Sequence, residues 1–305
     1  MAIASRSRLA TLMVLATLAA GVVANSAFAA SGRIVLDMDG VKRSAVIVEH
    51  SRLKRVRRPV IIVLHGSKGD GARIRRNLGL DEMVENTGTV LVFPDAFEGR
   101  WSLSAGAKSD DPAFFRAIIS RLNGQGVIDP KRVFIVGVST GGILALQIAC
   151  KEPENYTGFA TVLANMPAGL ARTCVPSRPV PLLMVNGTAD PRLPYKGGTA
   201  TNLDQVDQVA STDDTLGVFA KAAACGAKLP EISFPNRNPK SGSRAFLDKY
   251  EGCKVPVELV RIEGGGHTIP GRWSGTDSGA AVGAHNVDVD TAKLIFDFFK
   301  RLNGV

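Results

Sequence analysis

A serine set among glycines, Gly137-Val138-Ser139-Thr140-Gly141-Gly142, follows an apolar β-branched run and opens a helix-like one. A hydroxyl at such a strand-turn-helix junction is exposed at the carboxyl edge of a sheet, above a helix N-terminus that favours negative charge. The turn is too tight for side chains beside the serine backbone, which accounts for the flanking glycines. The hydroxyl becomes a useful nucleophile only when a base removes its proton. Of the four histidines, only His267 and His285 follow Ser139, and in this arrangement acid and then histidine come after the serine. His267 sits in Gly264-Gly265-Gly266-His267, where glycines let a loop carry the imidazole over the serine. His285 precedes the last helix and reads as surface or cap; His50 reads as structural. Asp190 is the expected acid, because it alone among the intervening carboxylates comes directly off an apolar strand, in Asn186-Gly187-Thr188-Ala189-Asp190. Asp204, Asp207, Asp213 and Asp214 lie in a polar stretch and look solvated.

A tetrahedral intermediate also needs backbone donors for its oxyanion. One is expected from Thr140, next after the nucleophile. The other is expected from the loop His65-Gly66-Ser67, with Ser67 as donor and His65 as a prop for the loop. Gly66, Gly69 and Gly71 do not fit a phosphate-binding spacing, so nucleotide binding is not expected.

These residues need a sheet to hold them. Pro59–Leu64, Thr89–Phe93, Arg132–Val136, Phe159–Leu163, Pro181–Val185 and Val255–Ile262 are apolar runs of the kind that buried parallel strands require. Arg33–Leu36 and Ser44–Val48 flank Asp39-Gly40 as an opening hairpin. Helical spacing recurs over Asp111–Leu122, Gly142–Cys150 and Asp288–Leu302. The alternation predicts α/β architecture, a mostly parallel sheet with helices on both faces. Asn236–Arg244 reads as a surface loop.

Residues 1–29 read as a cleavable signal peptide: Arg6 and Arg8, an apolar stretch from Leu9 to Val23, then Ala27-Phe28-Ala29. The stretch is short for a membrane span, and no cysteine precedes Cys150 to take a lipid. The expectation is an exported, secreted or periplasmic protein without a stable membrane anchor, with residues 30–305 as one catalytic domain. Removing the two arginines takes the formal charge from +9 to +7, spread along the chain except at Arg52-Leu53-Lys54-Arg55-Val56-Arg57-Arg58. That run reads as a solvated loop, and no nucleic-acid partner is expected. Cys150, Cys174, Cys225 and Cys253 allow three pairings; the short loops favour Cys150 with Cys174 and Cys225 with Cys253. Neither their spacing nor a nearby histidine suggests metal binding.

Taken together, HGSKGDG, FPDAFEGRW, the Asp110-Asp111 pair, GVSTGG, NGTADPRLPY and GGGHTIPG resemble the polyhydroxybutyrate depolymerase-type esterases, related to the feruloyl and acetylxylan esterases of the α/β-hydrolase fold. The resemblance spans roughly Pro59–Gly271. It implies a Ser139–His267–Asp190 triad, no cofactor, an ester substrate and the same two disulfides. Two positions depart from the family pattern: Ile269, where a tryptophan is frequent, and Ser102, where an asparagine is. Trp101 and Ile269 are expected to line the substrate pocket, and Trp101 and Trp273 are weighed both as ring-stacking platforms and as core residues. The expected activity is hydrolysis of feruloyl, acetyl or hydroxyalkanoate-type esters through an acyl-enzyme. The alternatives are an inert exported binding protein of the same fold and a serine peptidase. The secreted polymer depolymerases carry a linker and a binding domain, so a soluble or small ester is expected over a crystalline polyester.

Overall fold

The computed structural model describes residues 30–53, 56–103, 109–201, 203, 205–271, 282–302 and 305. The expected signal peptide, Asp204 and Trp273 lie outside the described residues. The first two strands, β1 (Ala30–Met38) and β2 (Val41–Glu49), form the expected hairpin. Asp39 and Gly40 at its tip both take positive φ, 53° and 86°, as a two-residue type I′ turn requires. After β3 (Arg58–Leu64), α1 (Gly71–Leu78) and α2 (Asp81–Thr87) lead to β4 (Val90–Pro94). Then α3 (Asp111–Gly124) precedes β5 (Ile128–Val138), α4 (Thr140–Lys151) precedes β6 (Gly158–Val162), and α5 (Ala168–Thr173) precedes β7 (Leu182–Gly187). A small ribbon, β8 (Gly198–Thr199) with β9 (Gln208–Val209), comes before α6 (Thr212–Ala222). The chain finishes with β10 (Ile232–Ser233), β11 (Arg244–Asp248), β12 (Val257–Glu263) and α7 (Thr291–Arg301).

One ten-stranded sheet results, in the order β1-β2-β4-β3-β5-β6-β7-β12-β11-β10. From β4 to β12 the neighbours run parallel, and antiparallel strands extend both edges. Every residue of β3, β4 and β7 is buried, because alternate side chains feed cores on opposite faces. Val60, Ile62 and Leu64 pack with Phe114, Phe115 and Ile143, whereas Ile61 and Val63 pack with Ile74, Phe298 and Phe299. Since β4 and β5 pair with opposite edges of β3, the loops leaving β3 and β5 diverge. Such a switch point is where open α/β sheets hold their ligands.

Some expectations need correction. Arg58 belongs to β3 rather than to a solvated loop; it is buried, and its guanidinium meets Glu49 at 2.6 Å. The last helix begins at Thr291, not Asp288, because the Asp290 carboxylate accepts the Lys293 N–H and caps it there. Asp213 and Asp214 are exposed as expected, but they form the first turn of α6, capped by Ser211. The cysteines pair in sequence. Cys150–Cys174 ties the end of α4 to the residue after α5, and Cys225–Cys253 closes the segment between α6 and β12.

Candidate active site

Ser139 stands between β5 and α4 at φ 54° and ψ −119°, a conformation that residues with a Cβ adopt only under constraint. The constraint comes from both sides. The Ser139 N–H donates to the Val162 carbonyl at 2.9 Å, and its carbonyl accepts the Ile143 N–H of α4 at 3.0 Å. A Cβ at Gly137 would lie 2.3 Å from the Gly141 carbonyl oxygen, and one at Gly141 would lie 2.6 Å from the carbonyls of Leu64 and His65. The glycines therefore serve close backbone approach between the elbow and the neighbouring loop.

His267 reaches Ser139 from β12. The loops after β7 and β12 are zipped together: Thr188 N–H donates to Ile262, Ala189 N–H to Gly265, and Gly264 N–H to the Thr188 hydroxyl. A Cβ on Gly187 would strike the Gly265 carbonyl at 2.3 Å. That contact leaves Asp190 beside the imidazole, with Asp190 Oδ2 2.7 Å from His267 Nδ1. His267 Nε2 lies 3.0 Å from Ser139 Oγ. The other carboxylate oxygen of Asp190 accepts the N–H groups of Arg192 and Leu193 at 2.8 and 2.9 Å. All three side chains are on residues only 8% exposed, so the chain of hydrogen bonds operates with little competing water. A buried amide-hydroxyl network supports the acid loop from behind. Asn186 bonds Ala164, Asn165 and Thr212, and Asn165 in turn donates to the Pro194 carbonyl.

The loop after β3 lies against Ser139; a Cβ on Gly66 would sit 3.4 Å from the Ser139 Cβ. Burial pushes the His65 imidazole below its ordinary range. Its partners define a neutral ring: Nδ1–H donates to the Gly66 carbonyl at 2.7 Å, and Nε2 accepts the Ala96 N–H at 3.1 Å. The expected prop is therefore placed inside the loop it supports. Trp101 is 2% exposed and packs its ring against His65 and Phe115. It is a core residue, and it also forms a wall of a small pocket shared with Ser67, Arg100, Leu103, Thr140 and Gln205. Ile269 is half-buried and packs toward the core that contains Phe298 and Phe299. Ser102 turns its hydroxyl to Ser109. Away from the site, His50 lies 3.9 Å from Glu85, and His285 faces the Gly271 carbonyl at 3.4 Å.

Several residues around the site carry no chemical role in the sequence alone. Asp111 is fully buried and pairs with Arg43 at 2.6 Å. Gln147 donates to the Leu103 carbonyl, and Gln205 accepts the Leu103 N–H. Gln147 carried a signal, being the one polar side chain between Gly142 and Cys150. No group of His, Cys, Asp or Glu that could hold a metal ion occurs among the described residues.

No family model matches the chain. Among sequence relatives, NocK of Nocardia uniformis subsp. tsuyamanensis, an esterase by name, is 29% identical over 87% of this chain and 84% of its own length. Feruloyl esterase B of Piromyces equi is 26% identical over 68% of this chain, which spans 39% of that protein. Among solved structures, the acetyl xylan esterase of Aspergillus awamori superposes with a TM-score of 0.56 at 13% identity, over 79% of this chain and 94% of that one. The chain has the α/β-hydrolase fold. Its sequence kinship runs to the esterases of that fold, on the feruloyl and acetylxylan side of the resemblance.

Proposed function

We propose that the chain is a serine carboxylic ester hydrolase working through a Ser139–His267–Asp190 triad and an acyl-enzyme. The observation that carries this reading is the unbroken sequence of hydrogen bonds from Ser139 Oγ through His267 to Asp190. In the first step His267 Nε2 takes the Ser139 proton as Oγ bonds to the ester carbonyl carbon. Asp190 holds Nδ1–H, fixing the tautomer and stabilising the imidazolium that forms. The N–H groups of Ser67 and Thr140 donate to the oxyanion. Collapse of the intermediate breaks the bond to the alcohol oxygen, which takes the proton from His267. A water then repeats the sequence on the acyl-enzyme, returning the proton to Ser139 and releasing the acid.

The esterase relatives support acetyl or feruloyl esters of plant polysaccharide as substrates, and hydroxyalkanoate oligomers follow from the polyhydroxybutyrate depolymerase-type motifs. Ile269, at the position where those esterases carry a tryptophan, is the side chain assigned to acyl or alcohol selection, while Trp101 backs the small pocket beside Ser67 and Thr140. Export of residues 30–305 as one domain, after cleavage at Ala29, accords with the two disulfides and with the lack, among the described residues, of any helix long and apolar enough to cross a membrane. Ser139→Ala should lower p-nitrophenyl acetate hydrolysis by about three orders of magnitude or more and abolish labelling by a fluorophosphonate probe. Wild-type activity in that variant would end the proposal. Rates on methyl ferulate, acetylated xylan and a hydroxybutyrate oligomer then rank the substrate classes.

A further inference from the structure

The N–H assigned to the oxyanion is aimed by groups buried behind its loop. Gly66 C=O and Ser67 N–H belong to one planar trans peptide and point in opposite directions. Whatever holds the Gly66 carbonyl therefore sets the aim of the Ser67 N–H. Two donors hold it: the His65 ring at 2.7 Å and the Gly69 N–H at 3.1 Å. The His65 ring has its own restraints, the Ala96 N–H at 3.1 Å on its far nitrogen and the Trp101 ring at a centroid distance of 4.6 Å. Trp101 also fixes the preceding peptide, since its indole N–H donates to the His65 carbonyl at 2.7 Å.

Trp101 is held in turn. The next backbone N–H, that of Ser102, donates to Asp111 Oδ2 at 2.6 Å, and Asp111 Oδ1 accepts from Arg43 Nη2, also at 2.6 Å. This ion pair is almost wholly out of water, with side chains 3% and 0% exposed. Arg43 lies over the Phe114 ring at 4.4 Å and donates to the Asp95 carbonyl at 3.2 Å, just ahead of Ala96. Burying such a pair costs desolvation that its mutual attraction only roughly offsets, so stability alone is a poor reason to keep it. Its oxygens and nitrogens are spent on the two ends of the segment that grips His65, at Asp95 and at Ser102.

We propose that Trp101, anchored through Ser102 by the Arg43–Asp111 pair, is a positioning residue for the oxyanion donor on Ser67. The proposal rests on the esterase reading above. An ångström of misalignment in such a donor costs about 100-fold in rate, so a side chain buried behind the loop can govern kcat without touching the ester.

The test uses Trp101→Phe, which retains a stacking ring but removes the N–H together with the rest of the indole, on p-nitrophenyl acetate and on its thionoester, where sulfur replaces the carbonyl oxygen. Sulfur is larger and a weaker acceptor, so it draws less from an aimed N–H. The variant is expected to lose about 10- to 100-fold in kcat on the oxygen ester with KM within about threefold. The rate ratio of oxygen ester to thionoester should shrink by about tenfold, while the pH midpoint of kcat/KM stays in place because the base is untouched. Asp111→Asn should shift the same ratio in the same direction; if that variant does not fold, Trp101→Phe decides alone. Equal slowing of both esters, a loss carried by KM, or a rate within about twofold of wild type overturns the proposal while leaving the esterase reading intact. A wild-type chain that hydrolyses neither ester overturns both.

Discussion

At the scale of single residues, the site depends on histidines in opposite roles. On the proposed esterase reading His267 exchanges a proton during turnover, whereas His65 must stay neutral to hold its two backbone partners. Burial lowers the affinity of His65 for a proton, and His285 is lowered for the same reason. An unfolded chain binds protons at these histidines below the ordinary imidazole value of about 6.5, while the folded chain does not until the pH is lower. Their contribution to stability is thus complete above about pH 6.5 and is lost as pH falls toward the depressed folded values. The melting temperature should drop between pH 7.5 and 5.5, and His65→Gln should shrink that drop even if the variant is less stable at pH 7.5. An unchanged difference between the two pH values would remove His65 as a cause. His65 and His267 were separable in the sequence by chain order and glycine context alone. The bonds that keep His65 neutral were not, because Ala96 lies 31 residues away.

At the scale of elements, legibility followed burial. Strands β3 to β7 were readable from apolar runs that bury both faces, and β12 from Val257, Leu259, Val260 and Ile262 despite Glu258 and Arg261 among them, patterns that short surface elements do not produce. Helices α1 and α2 went unseen: GARIRRNL and DEMVENT each bury only two side chains, Ile74 and Leu78 in the first and Met83 and Val84 in the second. Helix α6 was hidden by its acidic first turn, which reads as solvated polar sequence until Ser211 is seen to cap it. Strands β10 and β11 flank the polar segment from Asn236 to Arg244, and pairing of β11 with β12 and of β10 with β11 supplies what periodicity lacks. The three hydrogen-bonded side chains, Ser139, His267 and Asp190, could each be picked out in the sequence, since each leaves the carboxyl end of a recognisable strand. The Arg43–Asp111 pair could not, because its partners are 68 residues apart. One comes from β2 and the other from the first turn of α3, and nothing local joins them.

At the scale of the whole molecule, one sheet separates two cores, and each disulfide clips a helical segment on its margin. The bridges close sequence separations of 24 and 28 residues, short loops whose closure restricts the unfolded chain. On the chain-entropy account each stabilises by about 3 kcal/mol. Reductant should therefore lower the melting temperature, and Cys225→Ser with Cys253→Ser should reproduce part of the fall without added thiol. A melting temperature indifferent to dithiothreitol would show that the bridges do not bear on global stability. The same reasoning predicts poor accumulation of the folded chain in a reducing compartment.

The backbone at Ser139 has one more consequence. A residue with a Cβ at φ 54° and ψ −119° holds about 1–3 kcal/mol of conformational strain, and glycine would release it against an entropic cost of about 0.5–1 kcal/mol. Ser139→Gly should therefore melt higher than Ser139→Ala, by the equivalent of about 1 kcal/mol, with both variants inert. On the proposed esterase reading, Ser139 is then a position where drift to glycine is rewarded by a sturdier protein and restrained only by loss of turnover. A gene copy released from selection for hydrolysis would be expected to lose this serine early and fold better for it.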